Sequence, residues 1–281
     1  MLVNSNEMLK SAKRCKYAIP STNIYNLISL KGVLAASKEF DCPLIVSLAE
    51  VHINSLDIEE AAEIVKYYAN KSKQPIALHF DHGFTKDLII RAIDCGFTSV
   101  MVDGSNLPFE ENVNLTREIV EYAHPKGVSV EAEIGHVGGG EGYISPEDDK
   151  SNLTTVEDAI KFVELTNVDS LAVSIGTAHG EYKGTPHIDF ERLTEIANNV
   201  DVPLVLHGGS GSGDENLTKS VELGICKVNI FTDLANAARD ASSTEYSTKS
   251  HYDSCLLAID GIKEKTKHYY RVFKTVEGAH A

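Results

Sequence analysis

The chain has 281 residues, 42% hydrophobic and 24% charged, which is ordinary globular composition and enough length for one large barrel or two smaller domains. A formal net charge of −15 argues against nonspecific binding to nucleic acid or an anionic membrane. No run reaches the roughly 18 apolar residues of a membrane span, and residues 1–20 lack the continuous apolar core of a secretory signal.

Eight short apolar runs recur along the chain, at 17–23, 44–50, 76–82, 99–103, 128–135, 170–176, 204–210 and 227–233. Their spacing is that of βα units, and each reads as a strand. Amphipathic segments lie between them. Ile58, Ala61, Ala62, Val65 and Tyr68 recur at helical spacing, as do Val113, Ile119, Val120 and Ala123. Thr154-Thr155-Val156-Glu157 opens a further helix with a capping residue and an early acid. The strands are continuously apolar, as strands covered on both faces are. Eight units without a composition break predict an α/β fold, a single (β/α)8 TIM barrel spanning 1–281. A doubly wound open sheet is the alternative. Residues 238–281 read as the last barrel helix and a helical C-terminal extension. The five cysteines form no CxxC pair and read as reduced thiols of a cytoplasmic protein.

The strands end on polar or glycine-rich clusters: TNI, LAEVH, FDHG, VDGS, EAEIG, SIGTAHG, LHGGSG and NIFTD. In a barrel all these ends meet at one mouth, where active sites are built. His82, His179 and His207 end three different strands. Three imidazoles with an open position make a catalytic zinc site; three separately satisfied core histidines are the plain alternative. His79 shares a face with Asp81 and could orient a ligand or the acid. His52 reads as a loop residue, as does His136 in its glycine-rich loop, with contact to substrate the lesser alternative there. Asp81, beside His82, would stay ionised near a cation or share a proton with substrate. Glu131 and Glu133 alternate and therefore share the interior face. A second metal position, with Asp103, would explain them; so would a buried network holding the histidines. HGGSGSG after the seventh strand can aim backbone N–H groups at an anion. Asn229 and Thr232, with Gly180 and Lys183, add donors at the usual phosphate position of such barrels. The glycines of GHVGGGEGY would let a lid carry Glu141 inward.

LHFDHG, VEAEIGHVGG, SIGTAHGEYKG, LHGGSG and KVNIFTD, in this order, resemble the class II (metal-dependent) ketose-bisphosphate aldolases, which include the fructose-bisphosphate and tagatose-bisphosphate enzymes. The resemblance covers residues 15–240. It implies a lyase of carbohydrate metabolism, glycolysis included, that cleaves a ketose (bis)phosphate to dihydroxyacetone phosphate and an aldehyde through a zinc-stabilised ene-diolate. It implies that His82, His179 and His207 bind Zn2+, that Asp81 is the acid/base at the C4 hydroxyl, and that Glu133 and Asp103 contact a displaced metal. Asn23 matches a substrate-contacting position. Gly180, Gly208, Gly209, Ser210, Asn229, Ile230, Phe231 and Thr232 would hold the phosphate, with a sodium or potassium ion as a common companion. Glu141 aligns with a loop glutamate of proton transfer. Two positions depart from the family: Ala49 stands where many members have serine, and Phe231 where many have a polar residue. Alternatives are the same chemistry on a sugar acid or another ketose 1-phosphate, a barrel zinc hydrolase, and a non-catalytic subunit of an aldolase complex. Family habit implies a homodimer or homotetramer, and some relatives work with an accessory subunit.

Overall fold

A computed structural model describes residues 1–138, 153–180, 182, 184, 186–243 and 250–280. The order runs α1 (Ser5–Cys15), β1 (Ile19–Asn23), α2 (Leu27–Phe40), β2 (Leu44–Ala49), α3 (Ile58–Ala69), β3 (Ile76–Gly83) and α4 (Lys86–Cys95). It continues with β4 (Ser99–Val102), α5 (Phe109–Ala123), β5 (Ser129–Ile134), α6 (Val156–Thr166), β6 (Ser170–Val173), α7 (Phe190–Asn199) and β7 (Leu204–Leu206). It ends with α8 (Asp214–Glu222), β8 (Ile225–Ile230), α9 (Thr232–Ser243), α10 (His251–Val272) and α11 (Thr275–Gly278). The eight strands pair in chain order, all parallel, and β8 closes onto β1. This is the (β/α)8 barrel that the spacing predicts, with helices following β8 as an extension.

Several helices begin where the sequence supplies a cap. Asp57 accepts from the backbone N–H of Glu59 and forms a capping box with Glu60, and Thr155 accepts from Asp158. Helix α1 lies outside the predicted elements. Its signal was Asn4, which accepts from the N–H of Asn6. Met8, Leu9 and Ala12 of α1 pack with Ile19, Ile45 and Ala77 into an apolar cluster that also takes in Cys226 near the start of β8. The larger apolar core lies between the strands and the outer helices. Towards the strands' C-terminal ends the interior turns polar, with His79, Asp81, Glu131, Glu133, Lys227 and Asn229 all buried.

Strand boundaries differ from expectation at the mouth. β6 stops at Val173 and β7 at Leu206, so the loops carrying His179 and His207 begin earlier than the apolar runs suggest. β8 spans Ile225–Ile230, and Thr232 already opens α9. Glycine geometry explains part of this. Gly208 has φ +67°, and a Cβ there would lie 2.4 Å from the Ala178 carbonyl oxygen, so the chain turns out of the sheet at this point.

Candidate active site

His82 sits at an irregularity of β3. The β3–β4 register shifts between Phe80 and Gly83, and His82 has φ +47°, a backbone conformation non-glycine residues seldom adopt. Strain of this kind, of order 1–3 kcal/mol, persists where the surroundings enforce it. Here the irregularity aims Asp81 and His82 at the mouth from adjacent positions. His82 Nδ1 donates to Asp103 Oδ2 at 2.7 Å, and His207 Nε2 donates to Glu131 Oε1 at 3.0 Å. Those two bonds fix both tautomers and leave His82 Nε2 and His207 Nδ1 facing each other at 2.9 Å. Two lone pairs at that distance repel unless a proton or a cation lies between them. The His179 ring completes the group, its centroid 4.8 Å from His82 and 5.8 Å from His207.

One nitrogen from each of these three histidines lies within 4.8 Å of the other two. A tetrahedral zinc with Zn–N bonds of about 2.0–2.1 Å needs nitrogens roughly 3.4 Å apart, so the donor set fits such an ion with small adjustments. A second group, His82, Asp103 and Glu133, meets the same 4.8 Å limit. Glu133 Oε1 accepts from the Val137 N–H at 3.1 Å, whereas Oε2 is buried without a hydrogen-bond partner among the described residues. Burial, then the neighbouring Asp103 carboxylate, pushes the Glu133 pKa up to about 8. A buried carboxylate oxygen without a partner, beside an imidazole, is a group that a cation would satisfy.

Asp81 is held from two sides. Asn23 Nδ2 donates to Oδ2 and Asn229 Nδ2 to Oδ1, each at 2.8 Å. Burial alone would raise its pKa, but the positive charge at His82 and Lys227 more than offsets that and holds the carboxyl well below its usual range. At neutral pH it is a carboxylate positioned to accept a proton. Burial opposes charge on His82 too, yet Asp81 and the bond to Asp103 carry its pKa up to about 9.

Beneath this layer lies a buried ion pair. Lys227 Nζ donates to both carboxylate oxygens of Glu131 at 2.8 Å, and the same carboxylate receives His207. Lys227 also donates to His79 Nε2 at 3.3 Å, while His79 Nδ1 meets Ser99 Oγ at 2.8 Å. Burial and Lys227 lower the His79 pKa to about 3, in keeping with an acceptor nitrogen. His79 shares the face of Asp81, as the alternation predicts, but its Nε2 is 3.7 Å from that carboxylate, too far for a hydrogen bond. Glu131 therefore belongs to a network holding a histidine, and Glu133 lies in the second cluster with His82 and Asp103.

The glycine-rich loops lie alongside. Ser210 Oγ accepts from the N–H groups of Phe231 and Asp233, both at 3.3 Å, at the start of α9. Tyr182, outside the predicted site residues, ties the loops after β6 and β7 together. Its hydroxyl accepts from the Ala178 N–H at 2.6 Å and lies 2.7 Å from the Ala178 and 3.0 Å from the Gly208 carbonyl oxygens. Tyr269 of α10 donates to Asp233. No spacing rule would have found either tyrosine. His136 Nδ1 lies 3.1 Å from Ser105 Oγ, beside Asp103 rather than in the histidine triad. Glu141 and Lys183 lie outside the described residues.

Residues 3–278 match the family model described as fructose-bisphosphate aldolase class-II. Among solved structures, the YdjI aldolase from Escherichia coli K12 is 33% identical, covers 98% of each chain and superposes with a TM-score of 0.89. A protein from Coccidioides immitis, provisionally named a fructose-1,6-biphosphate aldolase, is 29% identical with the same coverage and TM-score. The fructose-bisphosphate aldolase from Campylobacter jejuni, at 22% identity, 98% and 96% coverage and a TM-score of 0.81, shares the fold. The geometry of the mouth and a match over nearly the whole length agree, and the chain belongs to the class II fructose-bisphosphate aldolase family.

Proposed function

We propose that this protein reversibly cleaves a ketose 1-phosphate to dihydroxyacetone phosphate and an aldehyde, with a zinc ion held by His82, His179 and His207. The observation that carries the reading is the placement of an ionised Asp81 beside three imidazoles with converging nitrogens. A bound zinc would supply a Lewis acid to the C2 ketone oxygen. Asp81, gripped by Asn23 and Asn229, accepts the proton of the C4 hydroxyl as the C3–C4 bond breaks. The aldehyde carbonyl forms at C4, and the bonding pair passes through C3 to the C2 oxygen. A proton delivered to C3 completes dihydroxyacetone phosphate. The N–H groups around Ser210 and the start of α9, with Gly180 and Gly208, receive the phosphate. Thr232 adds its hydroxyl at the same helix start. Asp103 and Glu131 hold the tautomers of His82 and His207, and Glu133 with Asp103 offers the ion a second resting position.

The test is to strip the purified protein with a chelator, restore zinc, and follow condensation of dihydroxyacetone phosphate with a panel of aldehydes. Activity that vanishes on stripping and returns with zinc supports the reading. Condensation undiminished in the stripped protein would reject it.

A further inference from the structure

The loops after β1, β2 and β8 build a wall that the cleavage step leaves unused. His52 and Phe231 lie with ring centroids 4.4 Å apart and 40° between planes, and Tyr25 meets Phe231 edge-on at 6.0 Å. Outside the wall, Leu27, Val51 and Phe84 are exposed at the ends of the same sector. The segments 24–26, 50–57, 84–85 and 231, which follow β1, β2, β3 and β8, contain no lysine or arginine. Glu50 among them is occupied with the N–H groups of Phe84 and Thr85 at 2.8 and 3.0 Å.

The direction of the substrate follows from the strand order. The phosphate loops follow β6, β7 and β8, and Asp81 on β3 is bridged to Asn23 on β1 and Asn229 on β8. A ketose with its phosphate in those loops and its C4 hydroxyl on Asp81 sends the carbons beyond C4 into the β1–β2 sector, against this wall. His52 Nδ1 is buried there and has no hydrogen-bond partner among the described residues. Burial lowers the ring's pKa more than Asp81 raises it, so the imidazole is neutral and its free nitrogen suits a hydroxyl. A phosphate or carboxylate pressed against such a wall would be desolvated with no lysine or arginine from these segments to pair with.

Building on the aldolase reading above, we propose that Tyr25, His52 and Phe231 bind the aldehyde half of the substrate, and that this half is an uncharged hydroxyaldehyde. His52 selects for a hydroxyl, and Tyr25 and Phe231 pack against the carbon chain.

The experiment uses the full chain loaded with zinc and takes three readings. The first is deuterium exchange at C3 of dihydroxyacetone phosphate by NMR, which needs no aldehyde. The second is kcat/KM for condensation with D-glyceraldehyde, D-glyceraldehyde 3-phosphate and propanal. The third repeats both on His52→Phe, which keeps an aromatic ring beside Phe231 but removes its nitrogens. Exchange should proceed, and D-glyceraldehyde should exceed its 3-phosphate by about tenfold or more. His52→Phe should lower the glyceraldehyde-to-propanal ratio by about tenfold, the worth of one hydrogen bond. Because that ratio is read on one protein sample, loss of folded material cancels. A 3-phosphate used as well as or better than glyceraldehyde, or an unchanged ratio in His52→Phe, overturns this proposal while leaving the aldolase reading intact. Absence of exchange removes the aldolase reading and this proposal with it.

Discussion

Lys227→Met isolates the buried ion pair under the histidines. In the native protein Lys227 and Glu131 are each 1% exposed, with Nζ 2.8 Å from both carboxylate oxygens. Methionine fills much of the same stem but carries no charge, so Glu131 keeps His207 Nε2 and a 3.4 Å contact from Ser170 Oγ as its side-chain donors. Removing one partner of a buried pair costs about 3–5 kcal/mol, because the other charge stays desolvated. At roughly 2–4 °C per kcal/mol for a domain of this size class, the melting temperature should fall by about 6–20 °C. The assay is a thermal melt with chelator present, so that metal binding does not contribute to the difference. A second variant, Lys227→Met with Glu131→Leu, removes both charges. Apolar replacement of a whole pair is often close to neutral, leaving mainly the orphaned His207 N–H at about 1–3 kcal/mol. The double variant should therefore regain about half of the loss. A single variant melting within about 2 °C of wild type, or a double variant no more stable than the single, would refute the argument that this pair holds the layer beneath the site.

Asp81→Asn should leave zinc content, read by elemental mass spectrometry, near one per chain while lowering turnover by about 10²-fold or more; near-native turnover would remove Asp81 from its role. Tyr182→Phe frees the loops after β6 and β7 from each other, so zinc affinity should weaken by about tenfold and the KM for dihydroxyacetone phosphate should rise in parallel, and a change in neither would show that the hydroxyl does not position these loops. Cys42 and Cys226 are buried with pKa values pushed up to about 12 by burial, so almost no thiolate exists at pH 8. Iodoacetamide at that pH should spare both in the native protein and label them after denaturation, as read by peptide mass spectrometry; prompt native labelling of either would contradict the packing around α2 or β8.

The barrel was legible because its strands are apolar on both faces and recur at βα spacing, a pattern few other folds produce. The polar strand ends then placed Asp81, His82, His179 and His207 at one mouth, and the structure brings those residues together. What sequence could not supply is register. Glu131 and Lys227 lie 96 positions apart on β5 and β8, and only closure of the sheet sets one opposite the other across the interior. Along the chain, Lys227 lies near the start of β8, the end away from the mouth. In the structure it is the third residue of β8 and the charge that keeps Glu131 ionised beneath His207. His52 was opaque for the same reason. It follows β2 as an ordinary loop residue, and its meaning comes from Phe231, which closure carries from the far end of the sheet into contact with its ring. Tyr182 and Tyr269 act through hydroxyls bonded to loop groups, and no periodicity encodes such bonds. A metal ligand leaves a trace in sequence because its residue type is chemically constrained, whereas a supporting group is constrained only by where the fold puts it. The positions that would decide how strongly an ion is held, and which aldehyde would fit, are therefore set by the closed fold rather than by spacing along the chain.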